Sequence, residues 1–381
     1  MGRPDAVRRI TYVTGTRADF GLIERTLQLI HCDPNLEVSI CVTGMHLLSR
    51  YGSTVNDIEA SGIPIRARVP VDLDGTGGAM IARAIGHVTI GITTALEADP
   101  PDLIMVLGDR GEMLAAAVAG LHLNVPVVHL HGGERSGTLD EPVRHAISKL
   151  AHYHFVATEG SRERLLHMGE QPNRVVVVGA PGLDGLAELV EMSRKQLFRR
   201  ERFDAGRATA LVVFHPVHQE AQDAGAQMIE VMEAVLSEGL QVLCLRPNAD
   251  AGGAIIESAL ADYERHPDVR VRVHLPRNVY VSWMAAVDAL IGNSSSGIIE
   301  AASLQVPVVN IGSRQMLRER NSNVVDVANE RAAIREGIRR ALSLRGPWTN
   351  VYGDGHASGR IVAALKALSL DKAVLRKENA Y

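Results

Sequence analysis

Residues 102–134 read DLIMVLGDRGEMLAAAVAGLHLNVPVVHLHGGE. The apolar run Asp102 to Leu107 has the length and the closing glycine of a buried strand, Glu112 to Leu123 carries a helical period, and Val125 to Leu130 is a second buried strand. Strands with no polar face are covered on both sides, so this strand, helix and strand form a parallel βαβ unit. The rhythm extends outward. Before it lie a strand at Arg9 to Val13, a helix after Asp19 and a strand at Glu37 to Val42; after it come a helix at Glu141 to Leu150 and a strand at His154 to Ala157. A second series begins near Ala208, with strands at Ala210 to Phe214, Gln241 to Leu245, Val269 to Val273, Ala289 to Gly292 and Val308 to Ile311. Gly179 to Arg207 carries no strand pattern and connects the two.

The expectation is therefore an α/β protein of two doubly wound parallel sheets. Residues 1–183 form the first domain, 184–358 the second, and 359–381 a C-terminal helix packing back on the first. The length, 381 residues, agrees at about 100 to 200 residues per domain. With 46% hydrophobic and 22% charged residues the chain is globular rather than disordered. A net charge of −4 without a basic block excludes a dedicated nucleic-acid binder. Cys32, Cys41 and Cys244 make neither a disulfide framework nor a zinc knuckle, and suit a reducing cytoplasm. Ala6 stands where a myristoylation signal needs Ser or Thr, and the most membrane-like run, Leu114 to Val128, is broken by His122, Asn124 and Pro126. No membrane association is expected.

Open parallel sheets bind ligands beyond the carboxyl ends of their strands, so the polar residues there are the candidates. Gly15-Thr16-Arg17-Ala18-Asp19 is either a glycine turn offering N–H groups and Arg17 to an anion, or a pair of helix caps in Thr16 and Asp19. Gly108-Asp109-Arg110-Gly111-Glu112 sets two carboxylates around an arginine, which suits acid/base work, but Asp109 and Glu112 also suit helix capping. His129 and His131 alternate along a strand and face one side with Glu134 following. That spacing is no zinc signature, and hydrogen bonding or acid/base use is the stronger reading. Asp72-Leu73-Asp74 has the form of a metal-holding carboxylate pair, yet ends no buried strand and reads as a solvated loop. Gly292-Asn293-Ser294-Ser295-Ser296-Gly297, between a strand and an apolar helix, aims N–H groups and hydroxyls at one point, the geometry that cradles a diphosphate. Glu300, one turn on, reaches a ribose or faces solvent. Phe214-His215-Pro216 and Arg246-Pro247-Asn248 close two other strands. The chain has neither a Walker lysine nor the spaced glycines of a dinucleotide site.

In this order the motifs resemble the hydrolysing UDP-N-acetylglucosamine 2-epimerases. They are Gly15 to Asp19, Gly44-Met45-His46, Gly108-Asp109-Arg110, His131-Gly132-Gly133-Glu134, Ser136 to Glu141 with Arg144-His145-Ala146-Ile147, Pro247 to Gly252, and Gly292 to Gly297. The resemblance spans nearly the whole chain and implies two Rossmann-like domains in the glycosyltransferase B arrangement, with the active-site cleft between them and UDP held mainly by the second. It implies removal of the C2 proton with anti elimination of UDP, then hydration of a 2-acetamidoglucal, with no metal and no cofactor. Asp109 and Glu134 would be the acid/base pair, Glu112 and Asp140 further carboxylates near the sugar, and His46 and Arg144 its neighbours. Arg17, Arg110, His215, Asn248, Asn293, Ser294, Ser295, Ser296, Gly297, Glu300 and Arg314 would face UDP. The partner implied is a UDP-sugar, and the assembly a homo-oligomer, dimer or tetramer.

Three positions depart from the pattern, Phe20, Gly111 and Leu317. The small Gly111 is expected to make room for a modified hexose, such as the 2,4-diacetamido-trideoxy sugar of legionaminic acid formation. The competing readings are a glycosyltransferase of the same architecture, a non-hydrolysing 2-epimerase and a non-enzymatic sugar-nucleotide sensor. The four carboxylates Asp109, Glu112, Glu134 and Asp140 favour the epimerase, since a transferase needs fewer acids near C2 and a sensor none.

Overall fold

The computed structural model describes residues 7–73, 78–136, 140–247, 252–273 and 275–380. Two compact units divide the chain. The first alternates β1 (Arg8–Thr14), α1 (Arg17–Cys32), β2 (Leu36–Thr43), α2 (Val55–Ala60), β3 (Ile65–Val69), α3 (Gly78–Leu96), β4 (Leu103–Leu107), α4 (Gly111–His122), β5 (Val127–Leu130), α5 (Asp140–Leu150), β6 (Tyr153–Val156), α6 (Glu159–His167) and β7 (Val175–Val177). Its strands are parallel in the order β3-β2-β1-β4-β5-β6-β7. The order reverses between β1 and β4, the switch point at which open α/β sheets leave a crevice.

Both faces of this sheet are core. Leu103, Met105 and Leu107 of β4 join one hydrophobic cluster while Ile104 and Val106 join another, as side chains alternating along a strand must when helices cover both sides. In α1 the residues Phe20, Ile23, Leu27 and Ile30 recur at helical spacing and are buried on the first of these faces. Leu114 to Val128 is most of α4, a turn and the start of β5, as expected from its interruptions. By length and composition α3 could cross a membrane, but Ala84, Val88, Ile92 and Leu96 form a buried stripe at four-residue spacing, with Val88, Ile92 and Leu96 in the second cluster.

The second unit comprises Gly185 to Val351 together with Arg135 and Ser136. It contains α7 (Arg194–Glu201), β8 (Thr209–Val213), α8 (Ala224–Ser237), β9 (Gln241–Leu245), α9 (Gly253–Ala261), β10 (Val269–Arg272), α10 (Arg277–Ala286), β11 (Ala289–Gly292), α11 (Ser295–Ile299), β12 (Val308–Ile311), β13 (Val324–Val327) and α12 (Arg331–Ser343). Its parallel sheet has the order β10-β9-β8-β11-β12-β13, with its switch point between β8 and β11.

From Tyr352 the chain belongs again to the first unit, earlier than the 359 expected from sequence. There α13 (Ala357–Ala367) lies against α1, with Ser358 Oγ 2.8 Å from Thr26 Oγ1 and Ile361 and Leu365 in the cluster that holds Leu27. Asp184 caps it, accepting from the N–H groups of Ala357 at 2.9 Å and Ser358 at 2.5 Å.

Candidate active site

In the first unit the candidates gather past the ends of β1, β2, β4 and β5. Gly108, with φ of +85°, turns the chain out of β4 and presents Asp109. Arg144, on the buried face of α5 and 1% exposed, pairs through Nη2 with Asp109 Oδ2. Its Nη1 donates to the Glu134 main-chain carbonyl at 3.0 Å. One guanidinium thus ties the Asp109 turn to the Glu134 turn. The Glu134 carboxylate, itself buried, pairs with His131 Nδ1. Arg110 donates to both oxygens of Glu112, at 3.2 and 3.3 Å. Burial opposes the Glu112 charge, but Arg110 and main-chain donation outweigh it and hold this carboxyl below its usual range. Asp140 opens α5.

The histidine expectation needs correction. β5 ends at Leu130 and His131 takes a φ of +61°, so the two rings do not share a strand face. His131 pairs with Glu134, whereas His129 is fully buried between the Gly108 carbonyl and Ser148. Among the described residues no group of three or more His, Cys, Asp or Glu is arranged to hold a metal. Asp72 is exposed outside any helix or strand, and Asp74 lies outside the described residues.

Around β1 the capping reading is realised, since Thr16 and Asp19 form a reciprocal capping box at the start of α1. Asp19 also accepts from the Thr14 hydroxyl and from the Gly15 N–H. Burial pushes its pKa up to about 6. His46 is fully buried between Thr14 Oγ1 at 2.9 Å and Thr54 Oγ1 at 2.8 Å, and burial pushes its pKa down to about 4. Arg17 pairs with Asp57 at 3.3 Å. Gly111 does not open space for a sugar. A Cβ there would lie 2.6 Å from Ile85 Cγ1, so its bareness admits the packing of α3 on α4.

In the second unit Asn293 is the clasp of the switch point. Its Oδ1 accepts from the His215 N–H at 2.7 Å and its Nδ2 donates to the His215 carbonyl at 2.8 Å. Arg314 and Gln315 both donate to its main-chain carbonyl at 3.1 Å. With its amide spent on main chain, Asn293 positions His215. Burial, reinforced by Arg314, pushes the His215 pKa down to about 3, so at neutral pH the ring offers a hydrogen bond and Arg314 the charge.

Ser294 caps α11, which has only five residues, so local N–H groups and hydroxyls matter there more than a helix dipole. Ser296 is spent on Ser294 at 2.9 Å and Tyr280 Oη at 2.5 Å. Ser295 is half-buried. Gly297 packs against Leu290 and Val308, each 3.0 Å from where its Cβ would stand. Glu300 is buried and paired with Arg277 at 2.8 Å, not solvent-facing. Asn248 lies outside the described residues. Sequence reasoning missed Arg277 and Tyr280, one turn apart on α10, because they meet Glu300 and Ser296 only through the fold.

Residues 28–366 match the family model described as UDP-N-acetylglucosamine 2-epimerase. The chain belongs to that family. It is 50% identical over 376 residues to a UDP-N,N'-diacetylbacillosamine 2-epimerase (hydrolyzing) from Legionella pneumophila, covering 98% of this chain and 100% of the relative. It is 30% identical over 323 residues to a GDP/UDP-N,N'-diacetylbacillosamine 2-epimerase (hydrolyzing) from Campylobacter jejuni, covering 84% of each. The crystal structure of a UDP-GlcNAc 2-epimerase from Neisseria meningitidis bound to UDP-GlcNAc superposes with a TM-score of 0.78 at 18% identity, over 94% of this chain and 99% of that one. At that identity the likeness concerns the fold. As a member of the family, the protein is a UDP-sugar 2-epimerase built on two Rossmann-like sheets.

Proposed function

We propose that this epimerase is of the hydrolysing type and acts on UDP-2,4-diacetamido-2,4,6-trideoxyglucose, releasing UDP and the free 2-epimer. The observation that carries the chemistry is the grip of Arg144 on both Asp109 and the Glu134 main chain, which holds two carboxylate-bearing turns in one rigid unit. The sugar rests on the 50% identity to the Legionella relative, whose diacetylbacillosamine is this 2,4-diacetamido-trideoxy hexose. UDP-N-acetylglucosamine is the second reading, supported by the family description.

In this reading a carboxylate, Asp109 or Glu134, takes the C2 proton as the C1–O bond breaks and its electron pair leaves on the UDP β-phosphate. Such a proton is hardly acidic, so the base must stand at near-attack distance while the leaving group departs. The other acid then returns a proton to the opposite face of C2 while water adds its oxygen at C1 and gives up the proton that restores that acid, and the first base sheds its proton to solvent. Glu112, Asp140 and His46 line the sugar. Arg17, His215, Arg314, Ser294 and Ser295 receive UDP through prearranged donors, while Asn293 and the Arg277–Glu300 pair hold that surface in shape. The reading includes a homo-oligomer and a cytoplasmic location.

Proton NMR of the enzyme with each UDP-sugar tests it. Free 2-epimer and UDP should appear from the diacetamido substrate faster than from UDP-N-acetylglucosamine. A tenfold preference for UDP-N-acetylglucosamine would overturn the choice of sugar.

A further inference from the structure

His129 lies on β5 directly beside Val106 of β4 and is fully buried. Its Nε2 is 2.7 Å from the Gly108 carbonyl and its Nδ1 is 3.0 Å from Ser148 Oγ. A carbonyl only accepts, so Nε2 carries the hydrogen; in a neutral ring Nδ1 then accepts from the serine hydroxyl. Burial lowers the ring pKa to about 3, which keeps that tautomer neutral at physiological pH.

Each partner leads to the proposed acid/base group. Gly108 immediately precedes Asp109, and its own N–H is already fixed to the Leu130 carbonyl at 3.0 Å. With the Gly108 carbonyl on His129, the left-handed turn is held from both sides. Ser148 is one helical turn beyond Arg144 on α5, so its contact sets the same face that delivers the guanidinium. The segment that leads to Glu134 passes close against the imidazole. A Cβ on Gly132 would stand 2.9 Å from Ser148 Oγ and 3.0 Å from His129 Nδ1. Only glycine lets the segment leading to Glu134 pass so close.

We propose that His129 is a positioning residue that sets Asp109, Arg144 and Glu134 in mutual register through Gly108, Ser148 and the Gly132 crossing. The inference rests on the reading of Asp109 as an acid/base group. A buried histidine used only to fill the core would be served by any side chain of its shape. This one is used through both nitrogens, on two elements that meet again at the Asp109–Arg144 pair.

The test compares full-length His129→Gln, His129→Asn, Ser148→Ala and Asp109→Asn for kcat, KM, UDP affinity and melting temperature. Gln can place its amide nitrogen where Nε2 stands and hold Gly108; Asn reaches only toward Ser148. His129→Asn is expected to lower kcat about a hundredfold, the scale of an ångström of misplacement, with KM and UDP affinity within a few fold. His129→Gln should recover about tenfold or more of that loss, although the two melt alike. Equal kcat in folded Gln and Asn variants, or a wild-type kcat in His129→Asn, would overturn the proposal. Should neither fold, Ser148→Ala decides. It removes one hydroxyl and should lower kcat about five- to tenfold, the factor of one ordinary hydrogen bond, and an unchanged kcat is contrary. Asp109→Asn separates the two claims. If it is inactive while the His129 and Ser148 variants turn over normally, only the positioning role fails; if it is fully active, the acid/base reading fails and takes this inference with it.

Discussion

The Arg144 guanidinium, buried on α5, closes on the Asp109 carboxylate at the mouth of β4. A charge this deep needs partners, and the two terminal nitrogens meet the Asp109 carboxylate and the Glu134 carbonyl. Asp109→Asn and Glu134→Gln should each cut turnover at least about a hundredfold while UDP affinity stays within a few fold, as for groups acting mainly in the transition state. Arg144→Met should lose activity and also stability, because it leaves the half-buried Asp109 carboxylate and the Glu134 carbonyl without this partner. Steady-state kinetics beside thermal melting check both, and wild-type turnover in the two carboxylate variants would remove the pair.

Gly111→Ala should act on stability rather than on substrate choice. The added methyl meets Ile85, and overpacking of this kind costs about 1 to 3 kcal/mol. Ile85→Ala in the same chain should relieve part of that loss. The ratio of turnover between the two UDP-sugars should stay as in the wild type; a ratio changed by Gly111→Ala alone would return this position to the sugar.

On the UDP side, Ser295→Ala should weaken UDP binding by about 1 kcal/mol, the worth of one ordinary hydrogen bond. Asn293→Ala should cost more, since it releases both main-chain groups of His215, and it should lower the melting temperature as well. Calorimetric titration with UDP reads the first effect, and an unchanged affinity in both variants would exclude this surface.

Four histidines of the first unit are held below the ordinary value chiefly by burial: His46 and His152 at about 4, His129 at about 3, and His154 also lowered. Between about pH 6.5 and 4 the unfolded chain binds protons at His46, His129 and His152 and the folded chain does not, so stability falls as pH drops, by up to about 1.4 kcal/mol per unit for each of these three, and His154 acts in the same direction. Asp19 works the other way. Its pKa, raised to about 6, lets the folded state take up a proton first and offsets one histidine. The melting temperature should therefore fall between pH 7 and pH 5. A rise over that interval would mean that these rings are hydrated or charged in the folded protein.

The parallel sheets were legible because β4, β5, β8 and β11 are short, mostly apolar runs buried on both faces. Elements that mix signals were not. β3 carries Arg66 and Arg68 at the sheet edge, and in α3 the exposed Ile81 and Ile90 and the glycines Gly86 and Gly91 obscure the buried stripe. The ends of β4 and β11 were found as candidate loops from their residues, but their pairing was not. Nothing local in the sequence says that Arg144 reaches back to Asp109, that Asn293 clasps His215, or that Ile85 fills the space beside Gly111. His131 was misjudged for a physical reason. Strand alternation holds only while the strand lasts, and the left-handed turn begins at that residue.

The central claim, proton removal at C2 with loss of UDP followed by hydration, is tested most directly by running the reaction in deuterium oxide and reading the released sugar by NMR. The account predicts free sugar of inverted C2 configuration with deuterium at C2, since the returning proton comes from groups that exchange with solvent. A label found only in a UDP-linked sugar would mark a non-hydrolysing epimerase. Free sugar that keeps its original configuration and its C2 hydrogen would contradict elimination, and with it the roles given to Asp109 and Glu134.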